Sequence, residues 1–144
     1  MNIFEELRAD HEQQRSTIEK LVETSGDTED RKRIFLKLKH LLEIHANAEE
    51  RYFYSPLMKK DISQEAARHS VAEHKELDDY LNDLESMDMS SPAWLQTANK
   101  LKDRLLHHLK EEEREIFQVA GRALNEQNKE QLASQYRQDM NQNL

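Results

Sequence analysis

Shifted against itself by 63 residues, the chain lays KLKHLLEIHANAEER (Lys37–Arg51) over KLKDRLLHHLKEEER (Lys100–Arg114), with eight of fifteen positions identical. The same shift carries His11 onto His74, Ile18 onto Leu81 and Leu21 onto Leu84. Each half therefore holds one segment with a lone histidine and a second with His-x-x-x-Glu, namely His45/Glu49 and His108/Glu112. A chain made of two such helical halves buries its apolar faces most simply by packing them together. Two other pairs, His69/Glu73 and His107/Glu111, have the same spacing but fall outside the repeat, since His69 matches Glu6 and His107 matches Ile44.

Punctuation within the repeat predicts all-α structure. One helix is expected from about Ile3 to Thr24, stopped by Gly26, and a second from a cap at Asp27 or Thr28 to about Tyr54, where Ser55-Pro56 interrupts it. Ser63 is expected to cap a third helix ending near Met87, and Ser91-Pro92 to open a fourth that runs to about Gly121. The segment NEQNKEQLASQYRQDM reads as a short fifth helix. Four long helices with short connections predict an up-down-up-down antiparallel four-helix bundle, one domain over 1–144 with pseudo-repeats at about 3–60 and 63–122. The scarcity of breakers (two glycines, two prolines) agrees with long helices.

Periodicity then decides which side chains face inward. The apolar stripe of the second helix reads Ile34, Leu38, Leu41, His45, Glu49, Tyr52, and that of the fourth Trp94, Ala98, Leu101, Leu105, His108, Glu112, Ile116. The first gives Phe4, Leu7, His11, Ile18, Leu21, and the third Val71, His74, Leu77, Leu81, Leu84. His40, His69 and His107 lie off these stripes and are expected on the surface. Counted from the expected turns, the four striped histidines fall within about 5 Å of one height in the bundle.

Six ligating groups thus converge. Burying them costs several kcal/mol each unless they are paired or coordinated. With no cysteine in the chain, thiolate sites are excluded, and a nitrogen- and carboxylate-rich set suits iron first, then manganese, zinc or copper. One tetrahedral zinc leaves ligands over, whereas two ions bridged by Glu49 and Glu112 use them all. Such a pair leaves positions open for a bridging oxo or hydroxo group and for dioxygen, peroxide or nitric oxide. The net charge of -8 argues against nucleic acid or an anionic membrane as partner, and the charged N-terminus reads as that of a cytoplasmic protein.

The order His, His-x-x-x-Glu, His, His-x-x-x-Glu resembles the hemerythrin-like (HHE cation-binding) domain, with HANAEERYFYSP and HLKEEEREIF similar to its two ligand segments. The resemblance spans about residues 3–140. It implies a non-haem di-iron centre with His11, His45, His74 and His108 as terminal ligands and Glu49 and Glu112 as bridges. Oxygen-carrying members have a further histidine on the third helix, where this chain has Ser70 and Asp78; Asp78 reads as a solvated residue. Phe117 is followed by Gln118 instead of the family's frequent proline, and the chain lacks the cysteine-bearing extension of the similar iron-sulfur repair proteins. The expected function is binding or sensing of a diatomic ligand. The alternatives are a peroxide- or dioxygen-consuming enzyme, catalase-, peroxidase- or ferroxidase-like, and a metal-stabilised bundle that binds a partner protein. Tyr52, Phe53 and Tyr54 are expected as core and rim aromatics, and Trp94 as a packing residue. Glu50 and Glu113 recur in both halves, either as supports for the ligands or as surface partners of Arg51 and Arg114.

Overall fold

The computed structural model describes residues 1–144 and is all-helical, a bundle with no strands. Its elements are α1 (Ile3–Val22), α2 (Glu29–Glu49), a π-helical turn (Glu50–Tyr54), α3 (Ser55–Met58), α4 (Gln64–Ser86), α5 (Pro92–Glu111), a second π-helical turn (Glu112–Ile116), α6 (Phe117–Ala123) and α7 (Glu126–Asn143). No helix is long and apolar enough to cross a membrane.

Local chemistry accounts for most boundaries. Asn2 and Glu5 form a reciprocal capping box at α1, Thr28 accepts from the Arg31 amide at α2, and Ser91 caps α5 with Pro92 in its first turn. α1 ends two residues before the expected Thr24, because Thr24 turns its hydroxyl back onto the Leu21 carbonyl at 2.6 Å. Gly26 follows at φ 65°, a left-handed turn that glycine adopts without strain. Ser63 stands at the start of α4 but does not cap it; its hydroxyl donates instead to the Leu57 carbonyl at 2.7 Å.

Three expectations need correction. The second helix is not interrupted at Ser55-Pro56, and the chain stays helical to Met58. The π turn explains this: the Ser55 amide bonds five residues back to Glu50, and Pro56 falls in the first turn of α3, where its missing N–H leaves no gap. The fourth helix likewise passes through a π turn, with the Phe117 amide bonding to Glu112. Each π turn carries one residue more than an α turn, which shifts the inward face behind it. Phe53 and Tyr54 are therefore buried and Tyr52, the residue on the simple stripe, is only half-buried. Finally, the fifth helix is not short: α7 has 18 residues, is capped by Asn125 and packs against both α1 and α2.

α1 packs on α2 and α5, and α4 packs on α5 and α2. The apolar interior divides into two clusters. One is centred on Phe35, Trp94 and the leucines of α4 and α5, and the other on Phe53, Tyr54, Phe117 and Tyr136. Trp94 is fully buried and donates to the Leu84 carbonyl at 3.0 Å, as expected of a packing residue. Along α1, His11 falls between Leu7 of one cluster and Ile18 of the other, and along α2, His45 falls between Leu42 and Ala48 in the same way.

Candidate metal centre

His11, His45, His74, His108, Glu49 and Glu112 come together in the interior, each between 0% and 8% exposed. They form two overlapping groups, His11/His45/Glu49/Glu112 and Glu49/His74/His108/Glu112, within each of which one ligating atom per residue lies inside 4.8 Å of the others. Glu49 and Glu112 belong to both. His40, His69 and His107 are exposed, as the stripes predict.

Every buried side-chain nitrogen or oxygen left without a hydrogen bond belongs to these six residues: Nε2 of all four histidines, both oxygens of Glu49, and Oε1 of Glu112. Some of these atoms are close, with His11 Nε2 3.0 Å from Glu112 Oε1 and His74 Nε2 2.9 Å from Glu49 Oε1. They are not aligned as hydrogen bonds, so these contacts are electrostatic only. Native interiors leave few polar atoms unpaired. Seven in one cluster, all of metal-ligating type and all facing one another, are what a cation site requires.

The opposite ring nitrogens are all held. His11 Nδ1 lies 2.6 Å from Glu113, His74 Nδ1 2.9 Å from Glu50, His108 Nδ1 2.8 Å from Glu73, and His45 Nδ1 2.6 Å from the Tyr136 hydroxyl. A carboxylate accepts from Nδ1–H, so Nε2 is the nitrogen that faces the cluster and can offer a lone pair once it carries no proton. The Tyr136 hydroxyl has a single proton and donates it to Asp10 at 2.5 Å, so it too accepts from His45 Nδ1–H.

Residues 2–120 match the profile of the hemerythrin HHE cation binding domain. The chain belongs to this family. Its structure is similar to the crystal structure of a hemerythrin HHE cation binding domain-containing protein from Mycobacterium kansasii. The two are 25% identical and superpose with a TM-score of 0.88, over 99% of this chain and 86% of that one. No curated protein matches the sequence.

Within this HHE domain the two halves are not equivalent, and the 63-residue shift shows where they part. Glu73 reaches His108 directly, but its counterpart Asp10 is one methylene shorter, and Tyr136 from α7 spans the gap to His45. Asp10 is anchored in turn by Arg137 at 3.0 Å. Tyr54 donates to Glu112 Oε2, which Ser70 also approaches at 3.2 Å, whereas the counterparts of Tyr54 and Ser70 are Phe117 and Leu7. Glu112 is thus tethered through one oxygen, and Glu49 through neither. Ser70, at a position where oxygen carriers have a histidine, serves as a tether; Asp78 is exposed and outside both groups.

Glu50 and Glu113 therefore hold histidines and do not pair with Arg51 and Arg114; Glu113 also binds Arg15 at 2.8 Å. Sequence reasoning missed Glu73 and Tyr136. Glu73 was hidden by its pairing with His69, and Tyr136 lies outside the repeat. Tyr136→Phe is expected to leave His45 Nδ1 and one side of Asp10 unpaired, costing about 1–3 kcal/mol in a thermal melt and about 10-fold in metal affinity. An unchanged melting temperature and affinity would show that the tether is idle.

The electrostatics follow from the geometry. Burial works against a charged His11 ring, but Glu112 and Glu113 outweigh it and push its pKa up to about 9. Burial opposes charge on His74 as well, and Glu49 and Glu50 outweigh it, to about 10. Burial alone would raise the Glu49 carboxyl, yet the charges of His45 and His74 hold it well below the usual range. Protons on His11 and His74 therefore balance the carboxylates in the metal-free chain, and a cation displaces them. Tyr54 is pushed well up by burial and by Glu112 and Glu49, which keeps its phenol protonated. A cavity of about 450 Å³ between α1, α2, α4 and α5, lined by Gln14, Leu42, Leu77 and Leu105, opens on His45, His74 and His108.

Proposed function

We propose that this HHE domain holds two non-haem iron ions and binds a small diatomic ligand, dioxygen or nitric oxide, at that pair. His11 and His45 would hold one ion, His74 and His108 the other, with Glu49 and Glu112 shared. The observation that carries the reading is the set of seven unpaired buried donor atoms, which divides into two groups overlapping at the two glutamates. Four imidazoles and two carboxylates without thiolate suit iron, and one zinc would leave donors unused. The ring of contacts α1–α2–α4–α5–α1 supports an up-down-up-down four-helix arrangement around them.

Iron, when bound, supplies open coordination positions and electrons for a diatomic ligand. The chain's own residues do the rest. The cavity, lined by leucines and by polar residues such as Gln14, Asn47 and Asp78, gives a small molecule a path to the histidines, and the Nδ1 partners fix ring orientation. Metal analysis of protein from iron-replete cells is expected to find about two irons per chain, and nitric oxide added to the reduced protein is expected to change its visible spectrum. One zinc per chain, or no metal, would overturn the di-iron reading.

A second reading, an enzyme that consumes peroxide, is favoured by one observation: the buried Tyr54 phenol donates to Glu112, placing a protonated group beside the donor cluster. Reduction of peroxide to two waters consumes two electrons, which a reduced iron pair would supply, and two protons delivered at the site. If that reading holds, Tyr54→Phe should slow peroxide loss at least 10-fold while iron content stays at the wild-type value. If ligand binding is the function, neither protein consumes peroxide.

A further inference from the structure

The two His-x-x-x-Glu pairs outside the repeat also meet. α4 and α5 pack side by side, and His69/Glu73 on one faces His107/Glu111 on the other across their outer seam. His69 Nε2 lies 2.6 Å from Glu111 Oε1 and 3.4 Å from Glu73 Oε2. His107 Nε2 lies 2.9 Å from the other Glu111 oxygen. The ligating atoms of His69, Glu73 and Glu111 all lie within 4.8 Å of one another.

An ordinary i,i+4 pair on a helix surface contributes only a few tenths of a kcal/mol and needs no partner beyond itself. This cluster differs in two ways. Two pairs from separate helices converge on one point, and their carboxylates form ion pairs with histidines and with no lysine or arginine. The side chains also grade from solvent inward, His69 being 54% exposed, Glu111 18% and Glu73 8%. The result is a pair of carboxylates set below two exposed imidazoles, His69 and His107.

We propose that His69, Glu73 and Glu111 form a second cation site, open to solvent, for a divalent ion of zinc's class. His69 supplies Nε2, Glu73 supplies Oε2 and Glu111 supplies Oε1, while His107 orients Glu111 through its other oxygen. Three protein ligands of nitrogen and carboxylate type with an open fourth position are a familiar zinc arrangement, in which neighbouring ligand atoms stand about 3.3 Å apart. The observed separations of 2.6 and 3.4 Å reach that with small side-chain rotations. Glu73 offers its other oxygen to His108 at 2.8 Å, so the outer site stands one carboxylate away from the core cluster.

The test is equilibrium dialysis of the full-length chain against zinc, comparing wild type with His69→Ala and Glu111→Gln. His69 is exposed and Glu111 partly buried, and circular dichroism melts check that both variants fold. Wild type is expected to hold one zinc more than either variant, or to bind that ion at least 10-fold more tightly. Glu49→Gln, which disturbs only the core cluster, should still take up the outer ion, so failure of the core reading is separable from failure of this one. Equal zinc uptake by wild type, His69→Ala and Glu111→Gln, in number and affinity, would overturn the proposal and leave the cluster as a hydrogen-bonded surface network.

Discussion

Glu49→Gln protein is expected to carry less than about a tenth of the wild-type core metal, whereas His45→Ala should lose mainly one of two ions. The difference follows from geometry. Glu49 is fully buried, both of its oxygens lack hydrogen bonds, and it belongs to both donor groups, while His45 belongs to one. Glutamine keeps the shape but replaces a charged oxygen with an amide nitrogen that does not ligate, so each ion loses an anionic donor. Shape conservation also keeps the core filled, and the variant should fold. Metal analysis of the two proteins, purified side by side and corrected for any ion at the outer site, reads the effect directly. If Glu49→Gln keeps its full complement, Glu49 is not a shared ligand.

The second large effect is on the metal-free chain. His11 and His74 have folded-state pKa values of about 9 and about 10, raised above the ordinary histidine value of 6.5. A raised pKa contributes stability that is fully present below the unfolded value and is lost as pH rises through the folded one. Chelator-treated protein should therefore melt at progressively lower temperature between about pH 6.5 and 10, by on the order of 10 °C. Glu49, held well below its ordinary 4.5, and Glu113, held at about 2, act in the opposite direction, so their contribution is lost in acid below about 4.5. Metal-loaded protein should show little of the alkaline loss, because the ions take the place of those protons. Calorimetric melts of both forms across this range test it, and parallel curves would mean that His11 and His74 do not bind protons against the carboxylates.

Much of the core cluster was legible from residues alone. His45, Glu49, His108 and Glu112 are recovered by the repeat, and His11 and His74 by the stripe, because a helix of period 3.6 leaves little choice about which side chains face its neighbours. Tyr52 shows the limit of that reasoning. The stripe assigns it to the interior, but a π turn advances the face by one residue and buries Phe53 and Tyr54. A hydrogen-bond register that changes within a helix leaves no periodic trace beforehand. Glu50 was left between two roles, since both a carboxylate holding His74 and a pair with Arg51 satisfy the same spacing.

By itself, then, the sequence determined that the chain is helical and which six polar side chains meet in its interior. Those outcomes depend on local propensity and on a period repeated in each half. The tertiary structure alone decided what holds each imidazole, how Tyr136 from α7 completes the short reach of Asp10, and that the pairs outside the repeat converge on the outer seam of α4 and α5. His45 and Tyr136 are 91 residues apart, and His108 and Glu73 are 35 apart. Contacts at such separations depend on how helices are rotated and stacked against one another, and packing sets that only once the whole core is assembled.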